Sequence, residues 1–226
     1  MLGTLVNAGA ILLGGAIGLI AKKGLNEKLS NAVMTGLGLV VVYIGIDGAL
    51  SGQNALIATV AMVVGGVVGT LLDLDGLFSR GAHKLETLLV KKDADGRFGE
   101  GFVTATLLFC VGAMAVVGSL NSGLRGDHSL LFTKSLLDGV SSVIFASTFG
   151  AGVLLSALAV LVYQGGITLL AQALAPVLTE AAVAEMTCVG SLLIVAIGLN
   201  MLGLTKIKVM NYILAIFLPI LLCMFM

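Results

Sequence analysis

Apolar residues run along this chain in long blocks, broken by short polar loops, rather than in the amphipathic patterns of soluble domains. A bilayer-spanning helix needs about 20 mostly apolar residues. Eight segments approach that: Leu2–Ala21, Leu29–Leu50, Ala55–Leu72, Phe102–Leu120, Leu131–Thr148, Gly150–Gln164, Val183–Leu202 and Met210–Met226. They predict an all-α polytopic transmembrane helix bundle of eight spans, a single integral membrane domain over residues 1–226. The fifth span is the least apolar, and both it and the sixth are short. A re-entrant hairpin made of those two is therefore the alternative to two crossings.

The polar stretch 73–100 reads as a cytoplasmic loop carrying an interfacial helix. Within Leu77–Lys92, Leu77, Leu85, Leu88 and Leu89 fall on helical spacing, with Arg80, Lys84, Lys91 and Lys92 between them. Ile167–Leu178 is a similar but uncharged segment that Pro176 is expected to end. The acidic stretch Asp93–Glu100 lacks the twelve-residue ligand pattern of a calcium loop and reads as a turn.

The basic residues give the bundle a direction. With the N-terminus outside, Lys22, Lys23, Lys28, Arg80, Lys84, Lys91, Lys92, Arg97, Lys206 and Lys208 all fall in inner loops. Arg125 alone is in an outer loop, and Lys134 lies within the fifth span. That asymmetry is the positive-inside pattern. It favours an even number of crossings between Arg97 and Lys206, and it places both termini outside the cytoplasmic membrane.

Composition agrees with the hydropathy. Apolar residues make up 58% of the chain, charged residues 11%, and mean hydropathy is +1.14. Soluble domains carry about 25% charged residues, so a water-soluble surface is excluded. Net charge is zero, which gives no reason to expect a nucleic-acid partner. Cys110, Cys188 and Cys223 sit in apolar runs without metal-ligand spacing and read as small buried residues. No soluble-enzyme signature, cofactor motif or metal motif is present; the chain reads as a non-enzyme whose partner is the lipid bilayer. Gly14-x-x-x-Gly18 and Gly65-x-x-x-Gly69 let helix backbones approach, and such faces also permit a homo-oligomer. Gly150-Ala-Gly152 is a candidate break in a helix.

An internal repeat is visible. Met34-Thr-Gly-Leu-Gly38 followed by Ile44-Gly-Ile-Asp47 matches Met186-Thr-Cys-Val-Gly190 followed by Ile197-Gly-Leu-Asn200. More weakly, Gly9-Ala-Ile-Leu-Leu matches Gly152-Val-Leu-Leu-Ser. Spans 1–3 thus correspond to spans 6–8. Five spans precede the second copy, so the two copies run in opposite senses, the inverted-repeat design of many transporters.

Ionisable residues in a span cost about 2.5–3.5 kcal/mol at the bilayer centre and are functional candidates. Lys134 and Asp138 share a helix face, four residues apart, with Ser141 and Ser142 one turn on and Ser141 nearest that face. This stripe can line a polar path in which Asp138 binds a cation or carries a proton and Lys134 neutralises it when empty. The other reading is an ion pair that only stabilises its helix, with Lys134 reaching for the interface. Asp47 and Asn200 occupy matching repeat positions, as helix caps or as the mouths of one path. Asn7 lies among small residues of the first span and suits an interhelical hydrogen bond. Glu185 suits a helix N-terminus, and Asn121 and Asn211 read as interfacial.

The opening Leu2-Gly-Thr-Leu-Val-Asn7, the run Phe109-Cys-Val-Gly-Ala-Met114-Ala-Val-Val-Gly-Ser119, Lys134-Ser-Leu-Leu-Asp138-Gly, Tyr163-Gln164-Gly165 and Glu185-Met-Thr together resemble the YqgA/YdfK-like family over nearly the whole chain. The resemblance implies a bacterial multi-pass inner-membrane protein, in a family whose members are sometimes labelled ion-transport proteins. One departure is Ala113, where the family pattern leads one to expect proline and hence a kink in the fourth span. The leading expectation is a transporter or ion-conducting protein for a small cation or cation-coupled solute. The alternative is a non-transporting assembly or sensor protein.

Overall fold

A computed structural model describes residues 1–22, 27–89, 97–111 and 113–225. The regular elements among them are helices: α1 (Leu2–Lys22), α2 (Glu27–Ala49), α3 (Ala55–Leu71), α4 (Leu74–Leu89), α5 (Phe98–Cys110), α6 (Ala113–Arg125), α7 (Ser129–Phe149), α8 (Gly152–Leu169), α9 (Ala171–Leu174), α10 (Glu180–Met201), a 3₁₀ helix (Val209–Ile216) and α11 (Leu218–Phe225). Lys23, Lys91, Lys92, Asp93, Asp95 and Met226 lie outside the described residues, as do the side chains of Lys22, Leu85, Leu88 and Leu89. The inner-loop charges, interfacial leucines and acidic turn read from them are therefore not placed.

Among the described residues four helices, α1, α7, α8 and α10, are long and apolar enough to cross a bilayer. Two bent pairs raise the number to six: α3 with the start of α4, at 61°, and α5 with α6, at 58°. Met34–Ala49 of α2 and the stretch Val209–Phe225 are apolar but shorter.

The chain divides into two compact units, Met1–Ser30 with Gly81–Ala175, and Asn31–Arg80 with Pro176–Met226. In the first, α1 and α7 pack in parallel. Gly3 meets Leu131, Gly14 meets the carbonyl of Gly139, and Gly18 meets the carbonyl of Val143. In lipid the hydrophobic effect does not drive helices together, so close backbone packing across small residues does that work. The opposite faces carry exposed Leu5, Leu12, Leu13, Ile17 and Ile20 on α1, and Leu136, Leu137, Val140 and Ile144 on α7. Helix α8 runs antiparallel to α1, with Gly15 against Leu154 and Gly165 beside Met1. Helices α5 and α6 follow the direction of α8: Gly152 sits under the carbonyl of Phe98, and Gly123 under that of Thr168.

In the second unit α2 and α10 are antiparallel, pairing Gly38 with Leu202, Gly45 with Val195 and Gly48 with Ser191. Helix α3 is antiparallel to the 3₁₀ helix through Gly65 against Ala215 and Gly69 against the Asn211 carbonyl. Ala61, Val189 and Ala215 form the fully buried centre of this unit.

Several expected boundaries change. The fourth span is not one helix: Val111 adopts an extended backbone, φ −81° and ψ 134°, which ends α5 before α6 begins. The break occurs although residue 113 is alanine and not proline. Gly150-Ala-Gly152 does separate the fifth and sixth spans. Gly150, at φ 87° where a Cβ would be strained, turns the chain between α7, parallel to α1, and α8, antiparallel to it. The last span splits into 3₁₀ and α segments because Pro219 has no N–H to donate to Ala215. Ile167–Leu178 is not a separate helix, since α8 extends to Leu169 and only the single turn of α9 follows.

Candidate functional site

Helix α7 turns a polar stripe inward. Lys134, Ser135, Asp138 and Ser142 are all buried, at spacings of three, four and seven residues that keep them on one face. The Lys134 ammonium lies 2.9 Å from Asp138 Oδ1, and the two side chains are each 7% exposed. From α1, Asn7 donates its side-chain N–H to Asp138 Oδ2 at 2.9 Å and to Gln164 Oε1 of α8 at 3.3 Å. The Asn7 amide nitrogen thus links three helices, α1, α7 and α8. With α7 running from Ser129 to Phe149, Asp138 lies about 14 Å along the helix at 1.5 Å per residue, near its midpoint.

The bonding fixes both amides. Asp138 only accepts, so the nitrogen of Asn7 must face it; the oxygen of Gln164 must then face that same nitrogen. Two atoms are left over. Asn7 Oδ1, an acceptor, and Gln164 Nε2, a donor, are buried without partners, as are the hydroxyls of Thr4 on α1 and Thr106 on α5. Each unpaired buried polar group costs about 1–3 kcal/mol, so these are positions where a ligand group gains most. Ser135 and Ser142 are unlike them, because their hydroxyls donate to the carbonyls of Leu131 and Asp138 within α7.

The end of α5 packs on α7, where the Phe109 and Phe145 rings lie 6.3 Å apart, and Cys110 and the Val111 break follow directly. A broken helix leaves carbonyls without intrahelical partners at one cut end and N–H groups at the other.

The structure therefore brings Asn7, Lys134 and Asp138 together, with Ser142 on the same buried face of α7. Ser141 is only half buried; Ser142, a full i+4 turn from Asp138, takes the inward place instead. Asp47 is exposed in the other unit. Asn200 organises the loop after α10: its oxygen accepts from Thr205 Oγ1 and Ile207 N, and its nitrogen donates to the Ile207 carbonyl. Gln164 completes the cluster but reads in the sequence as the mere end of a span. Asn211 is buried and accepts from the backbone N–H of Asp75. Glu185 is 2% exposed, and its Oε1 accepts from the N–H groups of Gln53 and Asn54 at 2.7 and 2.8 Å. It thus binds the turn before α3 rather than serving its own helix. Among the described residues no group of three or more His, Cys, Asp or Glu is placed to hold a metal ion.

A family profile described as "Protein of unknown function (DUF554)" matches residues 2–224. The chain is 33% identical over 223 residues to "Uncharacterized membrane protein YdfK" of Bacillus subtilis (strain 168), covering 97% of this chain and 94% of that one. It is 29% identical over 214 residues to "Uncharacterized protein YqgA" of Escherichia coli (strain K12), covering 93% and 91%. No solved structure matches.

Proposed function

Because this membrane protein belongs to the DUF554 family, whose description assigns no function, we propose from its own chemistry that it is a transporter or ion-conducting protein for a small cation or cation-coupled solute. The observation that carries this reading is the mid-helix Asp138, held by Lys134 and Asn7, with Asn7 Oδ1 and Gln164 Nε2 buried and unpaired beside it. A carboxylate at that depth needs a counter-charge. Lys134 is a tethered one. An entering cation displaces the ammonium from Asp138 and gains Asn7 Oδ1 as a further oxygen. When the cation leaves, Lys134 returns and the site is neutral again. The cut between α5 and α6 adds backbone groups near the same place, as discontinuous helices do in transporters.

Helix directions within each unit agree with eight alternating crossings, and the basic inner loops then favour both termini outside the inner membrane. Odd-numbered spans must run one way and even-numbered spans the other. Within the first unit α1 and α7, the first and fifth, are parallel; α5–α6 and α8, the fourth and sixth, run opposite to them. Within the second unit α2 and α10 oppose each other, as do α3 and the 3₁₀ segment. The inverted repeat has support from the same contacts, since each matched pair of spans packs together antiparallel: α1 with α8, α2 with α10, α3 with the 3₁₀ helix. On this reading the protein is not an enzyme, and a homo-oligomer would use other faces, because Gly14, Gly18, Gly65 and Gly69 already pack against helices of the same chain.

The test is charge movement in proteoliposomes on a solid-supported membrane, challenged with cations, anions and small organic acids, with Asp138→Asn in parallel. A substrate-specific current lost in that variant is expected. Full current in a correctly folded Asp138→Asn removes Asp138 from the mechanism. The second reading, an assembly or sensor protein, is favoured by one fact: both Asp138 oxygens already have internal partners. It predicts no current from any solute in the panel.

A further inference from the structure

We propose that the unit made of Asn31–Arg80 and Pro176–Met226 carries a second binding site, built on Glu185, for a small organic ammonium. Its cavity, about 430 Å³, is walled by Ala49, Ala58, Met62 and Leu192, with Asn54 and Thr59 at its polar side. Glu185 lines it and is 2% exposed. Two backbone N–H groups fix Oε1, and they are themselves fixed by the start of α3, where Asn54 Oδ1 accepts from Leu56 N at 3.0 Å. The other carboxylate oxygen, Oε2, is buried and has no partner. The Thr59 hydroxyl in the wall already donates to the Ala55 carbonyl at 2.7 Å.

That arrangement selects a ligand class. A bare calcium ion takes six to eight oxygen ligands, and methyl and thioether groups make up most of this wall. An anion is repelled by Glu185. A neutral apolar molecule leaves Oε2 buried without a donor, at the cost that unpaired groups carry. A primary ammonium on a short alkyl body donates N–H to Oε2 and covers the apolar wall at the same time. The site shares no residue with the Asn7–Lys134–Asp138 cluster and does not rest on the transport reading.

Isothermal titration of the full-length protein in nanodiscs with n-butylammonium chloride tests this, with n-butanol and sodium chloride as controls. Saturable binding of butylammonium and neither control is expected. Glu185→Gln keeps an oxygen for the two backbone donors but turns an amide into the cavity, and weakens binding at least tenfold. Ala55→Leu, on the exposed wall, weakens it with the carboxylate intact, and still reads the site if Glu185→Gln fails to fold. Asp138→Asn leaves it unchanged. Absence of saturable binding, equal binding of butanol, or wild-type affinity in both Glu185→Gln and Ala55→Leu overturns the site.

Discussion

Lys134 precedes Asp138 by one helical turn, and its ammonium rests 2.9 Å from the carboxylate with both side chains 7% exposed. Breaking a buried pair by removing one partner costs about 3–5 kcal/mol, whereas replacing both with apolar groups of similar size is often neutral. Lys134→Met alone should therefore lower the thermal midpoint sharply. The double variant Lys134→Met/Asp138→Leu should restore most of it while carrying no current. Stability and flux measured on the same preparations separate the structural part of the pair from its chemistry, and recovery of current in the double variant counts against Asp138 as the ion site.

From α1, Asn7 bonds to that pair, and it also reaches Gln164. Asn7→Ala strips a donor from two buried oxygens, at about 1–3 kcal/mol. A lower unfolding midpoint and a fall in any solute-driven current are expected together. A variant as stable as the wild type would show that water takes over both oxygens.

The α1–α7 interface makes a paired prediction from two glycines on one helix. A methyl at Gly14 collides with the Gly139 carbonyl, while at Gly9 it meets nothing within 4 Å. Gly14→Ala should destabilise by about 1–3 kcal/mol, the usual range for overpacking. Gly9→Ala should gain rather than lose, since alanine favours a helix over glycine by up to about 1 kcal/mol. Thermal unfolding in detergent compares them directly; equal effects would mean that α1 does not approach α7 in this register.

Ala113 opens α6 after the Val111 break. Proline is tolerated at the first position of a helix but costs about 3 kcal/mol or more inside one. Ala113→Pro should thus leave the unfolding midpoint within a degree or two of the wild type, or raise it. A large loss would mean that the fourth span is continuous.

Orientation is checked with single cysteines in a variant whose Cys110, Cys188 and Cys223 are replaced by alanine. Asp127→Cys, in the loop between α6 and α7, should react with a membrane-impermeant maleimide in whole cells. Lys206→Cys, after α10, should react only once the membrane is opened. The reverse pattern would invert the topology, and equal labelling of both would reject an odd number of crossings between them.

Hydropathy made the helices legible and left their breaks obscure. The apolar run Phe102–Leu120 is continuous, and the extended backbone of Val111 leaves no mark in it. Lys134 and Asp138 were visible because charge inside a span is costly and their spacing is helical. Gln164 was not, because the predicted span stopped on it while α8 runs five residues further. Asp47 and Asn200 match in the repeat, yet matching positions say nothing about hydrogen bonds, and Asn200's serve a loop. Glu185 reads in the sequence as serving its own helix, but its partners come 131 and 132 residues earlier in the chain.

The parallel pairing of α1 with α7 also sets an order of events at the ribosome. Asn7 and Asp138 are 131 residues apart, and synthesis proceeds at about 5–20 residues per second, so α1 waits in the bilayer for about 7–26 s before its partner exists. Through that interval the face that carries Asn7, Gly14 and Gly18 has only lipid or another helix to meet. Slower elongation lengthens the exposure, and the yield of folded protein should fall with it.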